Sequence, residues 1–209
     1  MVEVVSQDNF ALKGVSFVND YLIADYIDHA DMRSAIVFFN HSGEQLDVTL
    51  PDNLSGTISG FQSVGDNAIM FSVTSYTQPV QYFSFDFTNN SLELLWEEAI
   101  PRFNPNDYTE VSTNYESKDG TMVPITYSYK SSTKLNKDTP IFLYAYGGYN
   151  ISIRPSFTPK YVAWLEMGGV LAVANIRGGG EFGKAWHTAG RLGTKQNVFD
   201  DFLYASKFL

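Results

Sequence analysis

The feature that most constrains this chain is a strand pattern that repeats at an offset of 46 residues. Ile23 and Ile69 (69−23), Val37 and Phe83 (83−37), and Leu46 and Leu92 (92−46) share that offset, and Gly14 and Gly60 repeat it. Each residue lies in a short run rich in β-branched and aromatic side chains: 21–25, 35–39 and 46–50, then 68–73, 81–86 and 92–96. Turn-forming clusters at 28–31, 40–43 and 88–91 separate them. A four-stranded unit of roughly 40–50 residues is the period of a β-propeller blade, although the alternation also suits an antiparallel sandwich. Two blades cannot close a ring of about four to eight. The repeat therefore implies further blades outside this sequence.

The pattern changes after a stretch from 97 to 107 that carries Pro101 and Pro105 among polar residues, the expected domain boundary. Runs 108–115 and 122–129 form an expected strand pair around the turn Ser117-Lys118-Asp119-Gly120. The apolar run 140–146 reads as a strand buried on both faces, as does 170–174. Between them the sequence predicts a helix capped by Thr158, with Pro159 at its first position and Gly168-Gly169 at its end. A last helix is expected with Asn197 as its cap and Val198, Phe199, Phe202, Leu203 and Leu209 on its buried face. Strand, helix, strand, helix is the order of an α/β sheet. The expected fold is thus mixed: about two β-propeller blades over 1–100, then the first half of an α/β-hydrolase domain over 101–209.

Composition narrows the function. Lys and Arg number 14 against 23 Asp and Glu, a formal charge of −9, which argues against nucleic acid or an anionic membrane as partner. The absence of cysteine removes disulfides, thiolate metal sites and a cysteine nucleophile together. His29, His41 and His187 are scattered without ligand spacing, so no metal and no cofactor is expected. The first eight residues show neither a basic segment nor an apolar run of leader length, which points to a cytoplasmic setting.

Three motifs bear on chemistry. Tyr146-Gly147-Gly148-Tyr149 follows directly on an apolar strand, where glycines permit a sharp turn beside a developing charge. Gly178, Gly180 and Gly183 satisfy G-x-G-x-x-G, with Asp200 and Asp201 about 20 residues on. A dinucleotide site is disfavoured because Gly190 and Gly193 interrupt the helix that should open there. The two aspartates also fall in the first turn of a helix, where a carboxylate serves the helix dipole. No G-x-S-x-G elbow occurs, since Gly56-Thr57-Ile58-Ser59-Gly60 has the wrong spacing.

The stretch Leu143-Tyr144-Ala145-Tyr146-Gly147-Gly148-Tyr149-Asn150-Ile151-Ser152-Ile153, followed by Asn175-Ile176-Arg177-Gly178-Gly179-Gly180-Glu181-Phe182-Gly183, resembles the prolyl oligopeptidase family of serine peptidases. Trp186-His187, Lys195-Gln196-Asn197 and Phe199-Asp200-Asp201-Phe202 continue the likeness. The resemblance implies a β-propeller joined to an α/β-hydrolase domain. It implies cleavage of short proline-containing peptides after proline by a Ser-Asp-His triad, whose members would lie beyond Leu209, leaving this chain inactive alone. Tyr146 would be the catalytic oxyanion-hole donor. Tyr149 would be the substrate-binding aromatic of the proline pocket, with a hydroxyl where the family usually has Phe. The competing readings are a propeller-type binding module without chemistry and, less favoured, a dinucleotide-binding protein.

Overall fold

The computed structural model describes residues 10–48, 50–51 and 54–209. The amino-terminal stretch read above for leader character, and Thr49 of the 46–50 run, lie outside the described residues. Strands β1 (Ala11–Val18), β2 (Tyr21–Ile27) and β3 (Ser34–Phe39) form an antiparallel three-stranded sheet. Strands β4 (Thr57–Gly65), β5 (Ala68–Thr74), β6 (Gln81–Asp86) and β7 (Ser91–Glu97) form an antiparallel four-stranded one. Gly14 and Gly60 both lie where the ladder of a first strand shifts register, which accounts for their shared spacing.

The repeat needs two corrections. Ile23 pairs with Phe38, whereas Ile69 pairs with Phe85, so the third strands are offset by 47 (85−38) rather than 46. A one-residue difference turns a strand over, so Phe38 and Phe85, not Val37, are the matched core residues. The 46–50 run, read as a strand, forms none among the described residues. Gln45 makes a single bridge to Phe39, and Leu46 and Val48 pack instead on the core. That core joins the two sheets through Ile23, Phe38, Ile69, Phe71 and Phe85. Phe87 adds to it, stacked at 3.8 Å on Tyr21 and edge-on at 5.3 Å to Phe38.

The third sheet has the order β10-β11-β9-β8, built from β8 (Tyr108–Glu116), β9 (Met122–Lys130), β10 (Ile141–Ala145) and β11 (Val170–Ala174). The β8–β9 hairpin closes as expected, with Gly120 at φ 84° and its amide donating to the Ser117 carbonyl. Helix α1 (Pro159–Glu166) crosses from β10 to β11, which pair in parallel, while β11 and β9 pair antiparallel. Thr158 stands at the cap of α1, but its side chain makes no capping bond.

β11 is buried along its whole length and divides its side chains. Leu171 and Val173 face the cluster with Leu165 of α1; Ala172 and Ala174 face the cluster with Val198 and Ala205. β10 differs from its expectation: it is an edge strand, with Ile141 and Phe142 exposed. Helix α2 (Gly183–Thr188) follows the glycine-rich loop but stops at Thr188, before Gly190, so the helix is interrupted there as the glycines imply.

Helix α3 (Gln196–Phe208) overturns two expectations. Its cap is Lys195, and Asn197 instead donates its side-chain amide to the Ala189 carbonyl. Its buried face is Val198, Asp201 and Ala205, whereas Phe199, Phe202, Leu203 and Leu209 are exposed. Within this chain the helix packs through its smaller residues and one carboxylate.

Candidate active site

In an open α/β sheet, ligand sites gather at the carboxyl ends of parallel strands. Here β10 and β11 end side by side, Ala145 paired with Ala174, and their loops are laced together. Tyr146 is the first residue after β10. Gly147 turns the chain at φ 60°, where a β-carbon would lie 2.6 Å from Cγ1 of Ile176 and 2.8 Å from Cγ1 of Val198. Only glycine fits there. Tyr149 and Asn150 also hold left-handed backbone, at φ 54° and 59°, and the Asn150 amide donates to the Gly178 carbonyl at 3.2 Å. A run of non-glycine residues with positive φ is strained and needs surrounding structure to hold it.

That structure comes from the loop after β11. Asn175 donates from Nδ2 to the Ile153 carbonyl at 2.7 Å, and Glu181 Oε1 accepts from the Ile153 amide at 2.9 Å. Burial pushes the Glu181 carboxyl above its ordinary range, against hydrogen bonds that pull it down. Gly178, at φ 95°, lies so close to the Gly147 carbonyl that an added β-carbon would stand 2.5 Å from that oxygen. His187 Nδ1 lies 2.8 Å from the Gly178 carbonyl, and Trp186 Nε1 donates to the Asn175 carbonyl at 3.2 Å.

A buried ion pair anchors the loop from below. Asp201 is fully buried; it accepts from Arg177 Nη2 at 2.6 Å, from the Arg177 amide at 3.0 Å and from Ser117 Oγ at 2.6 Å. Asp119, from the β8–β9 turn, takes the other side of the guanidinium at 2.5 Å. Its hydrogen bonds from Arg177 hold its carboxyl well below the usual carboxylate range. Asp201 is therefore not a residue that merely serves the helix dipole.

Tyr146 is 44% exposed and Tyr149 85% exposed. Tyr149 borders a cavity of about 580 Å³ together with Gly148, His187, Arg191, Leu192 and Lys195; Tyr146 is not part of that lining. The two tyrosines expected to act together thus sit on one turn but face different surroundings. His41 takes no part in this arrangement. His29 lies in the turn between β2 and β3, its ring tilted against Phe182 at 4.1 Å and its Nε2 3.2 Å from the Glu181 carbonyl. Among the described residues no group of three His, Cys, Asp or Glu side chains is placed to hold a metal ion. None of their helices is long and apolar enough to cross a membrane.

The first two sheets meet this loop directly. Arg154 donates to Asp25 at 2.6 Å and 3.1 Å and bonds to Ser34 Oγ. Lys13 bonds to the Gly180 carbonyl, and Glu110 of β8 accepts from Ser75 and Thr77 at 2.5–2.8 Å. None of these partners was legible in the sequence. Arg154 and Asp25 are 129 positions apart, and nothing local marks either one.

Two packed antiparallel sheets of blade dimensions, followed by an α/β sheet with a strand-end turn, define a protein of the propeller-plus-hydrolase class. The family described as "Prolyl oligopeptidase, N-terminal beta-propeller domain" matches residues 2–98, and "Prolyl oligopeptidase family" matches residues 155–209. A prolyl endopeptidase of Elizabethkingia miricola is 38% identical over 90% of this chain and 26% of its own length. One from Elizabethkingia meningoseptica is 41% identical over 74% of this chain and 22% of its own length. A solved structure from a study of two prolyl endopeptidases and their inter-domain dynamics superposes with a TM-score of 0.89, at 38% identity over 99% of this chain and 30% of that one. Prolyl oligopeptidase B from Galerina marginata, bound to a 35-residue hydrolysis and macrocyclization substrate, gives a TM-score of 0.90 at 30% identity, over 99% of this chain and 29% of that one. The chain belongs to the prolyl oligopeptidase family and spans about a quarter of the length of the curated relatives named here.

Proposed function

We propose that this chain is part of a serine endopeptidase that hydrolyses short peptides on the carboxyl side of proline. In this reading residues 1–100 supply the last two blades of the propeller, which admits small peptides and excludes folded proteins. Residues 101–209 supply the start of the catalytic domain, and the Ser-Asp-His triad comes from outside the chain. The observation that carries the reading is the presentation of Tyr146: a half-exposed phenol at the carboxyl end of β10, on a turn locked by the neighbouring loop.

The chemistry that such a phenol offers is a hydrogen bond to the acyl oxygen. That bond strengthens as the carbonyl becomes a tetrahedral oxyanion, so it lowers the barrier rather than merely tightening binding. Holding the donor in place before the reaction avoids reorganisation in the transition state. Tyr149, on strained backbone and almost fully exposed, offers a flat aromatic face for the proline ring.

In the complete protein, Tyr146→Phe is expected to lower kcat on an amide substrate by about a hundredfold, the loss typical of removing one oxyanion donor. Folding, read by circular dichroism and melting temperature, should not change. Unchanged kinetics would overturn the oxyanion role. This chain expressed alone is expected to show no turnover of a prolyl peptide, and turnover would require a nucleophile within it.

A further inference from the structure

Lys195 has a partner that neither its charge nor its position in sequence would announce. It caps α3, and its Nζ donates to the Gly147 carbonyl at 3.0 Å, across 48 positions of sequence. Among the described residues no carboxylate lies within ion-pairing distance of it. Its ammonium also lies 5.8 Å from the ring centre of Phe199. A half-buried lysine that gives its charge to a backbone carbonyl fixes that carbonyl, because charge-assisted hydrogen bonds are shorter and stronger than neutral ones.

The Gly147 carbonyl is held from two sides. Gly178 closes against it on one, and Lys195 reaches it from another, while the α-carbon of Gly147 is wedged against Ile176 and Val198. The base from which Lys195 reaches is itself fixed, because Asp201 of the same helix is tied to Arg177 at 2.6 Å. That carbonyl belongs to the Gly147–Gly148 peptide, one α-carbon beyond the Tyr146–Gly147 peptide, so a change of the Gly147 ψ angle would redirect the turn and with it the phenol at the far end of the Tyr146 side chain.

We propose that Lys195 is a positioning residue for Tyr146: its ammonium holds the Gly147 carbonyl and so fixes the turn from which the phenol is presented. The inference rests on the oxyanion reading of Tyr146 given above. It assigns Lys195 no contact with substrate.

The test is a double-mutant cycle in the complete protein, with Lys195→Met, Tyr146→Phe and the pair, assayed on a chromogenic prolyl amide. Lys195→Met is expected to lower kcat on the order of tenfold, as small misplacements of a catalytic group do. KM should stay within about twofold, because binding of the ground state is not at stake. In the Tyr146→Phe background the same substitution should cost nothing further, since a group that acts through the phenol has nothing left to position. Lys195→Arg, which keeps a charged donor, should recover most of the rate. Should Lys195→Met melt early, Lys195→Gln carries the same comparison with a neutral donor. Full activity of Lys195→Met, or an equal loss in both backgrounds, overturns the positioning role while leaving Tyr146 intact. Unchanged kinetics in Tyr146→Phe overturns the oxyanion reading and this inference with it.

Discussion

Arg177 and Asp201, 24 positions apart, meet at 2.6 Å beneath the glycine-rich loop, the carboxylate fully buried and the guanidinium nearly so. The pair joins the end of β11 to α3 and, through Ser117 and Asp119, to the β8–β9 turn. Removing Asp201 leaves the buried Arg177 paired only with Asp119, which is nearly half exposed, and breaking one side of a buried pair costs about 3–5 kcal/mol. Asp201→Ala is therefore expected to lower stability by about that amount in urea denaturation of the complete protein. A loss below about 1 kcal/mol, the range of exposed pairs, would show that the charge is not desolvated as described.

Arg154 carries the main ionic contact between the first two sheets and the loop after β10. Its loss should free the segment between β7 and β8, the short connection that carries Pro101 and Pro105. Arg154→Met is expected to raise the rate of limited proteolysis between residues 98 and 107 several-fold, read by mass spectrometry of the cleavage products. Cleavage at the unaltered rate would mean that the Glu110 bonds to Ser75 and Thr77 hold the junction without it.

Glu181 gives a pH dependence of opposite sign to that of a paired carboxylate. Burial raises its carboxyl in the folded protein above the ordinary 4.5, so in the window just above that value the folded state holds the proton more tightly than the unfolded state. Its contribution is therefore present at low pH and lost as pH rises through the folded-state value. Asp119, Glu166 and Asp200 shift downward through their hydrogen bonds and run the other way, but they are common to wild type and variant. The stability of Glu181→Gln relative to wild type should accordingly improve from about pH 4 to about pH 7 in urea midpoints. Parallel curves for the two proteins would refute the raised carboxyl.

Much of the architecture was legible because it depends on local periodicity. Alternation marks β5 and β6, an apolar run marks β2, Gly120 marks the β8–β9 hairpin, and the unbroken run in β11 marks a strand covered on both faces. The limits are equally physical. Position in the sheet decides whether an apolar run such as β10 is central or at an edge, and the run itself does not carry that information. The same holds for α3, where Phe199 and Phe202 outweigh Val198 and Ala205 in any hydropathy pattern yet are exposed within this chain.

The sequence by itself determined the strand repeat, the change of pattern near Pro101 and Pro105, and the tyrosine-glycine turn at the end of β10. These are statements about neighbours along the chain, where backbone sterics and side-chain alternation act. The tertiary structure alone decided that Lys195 reaches Gly147, that Arg177 closes on Asp201 and that Arg154 meets Asp25, across 48, 24 and 129 positions. Each joins a charged group to a distant partner, and a charge in the sequence reads as solvated until folding excludes the water around it.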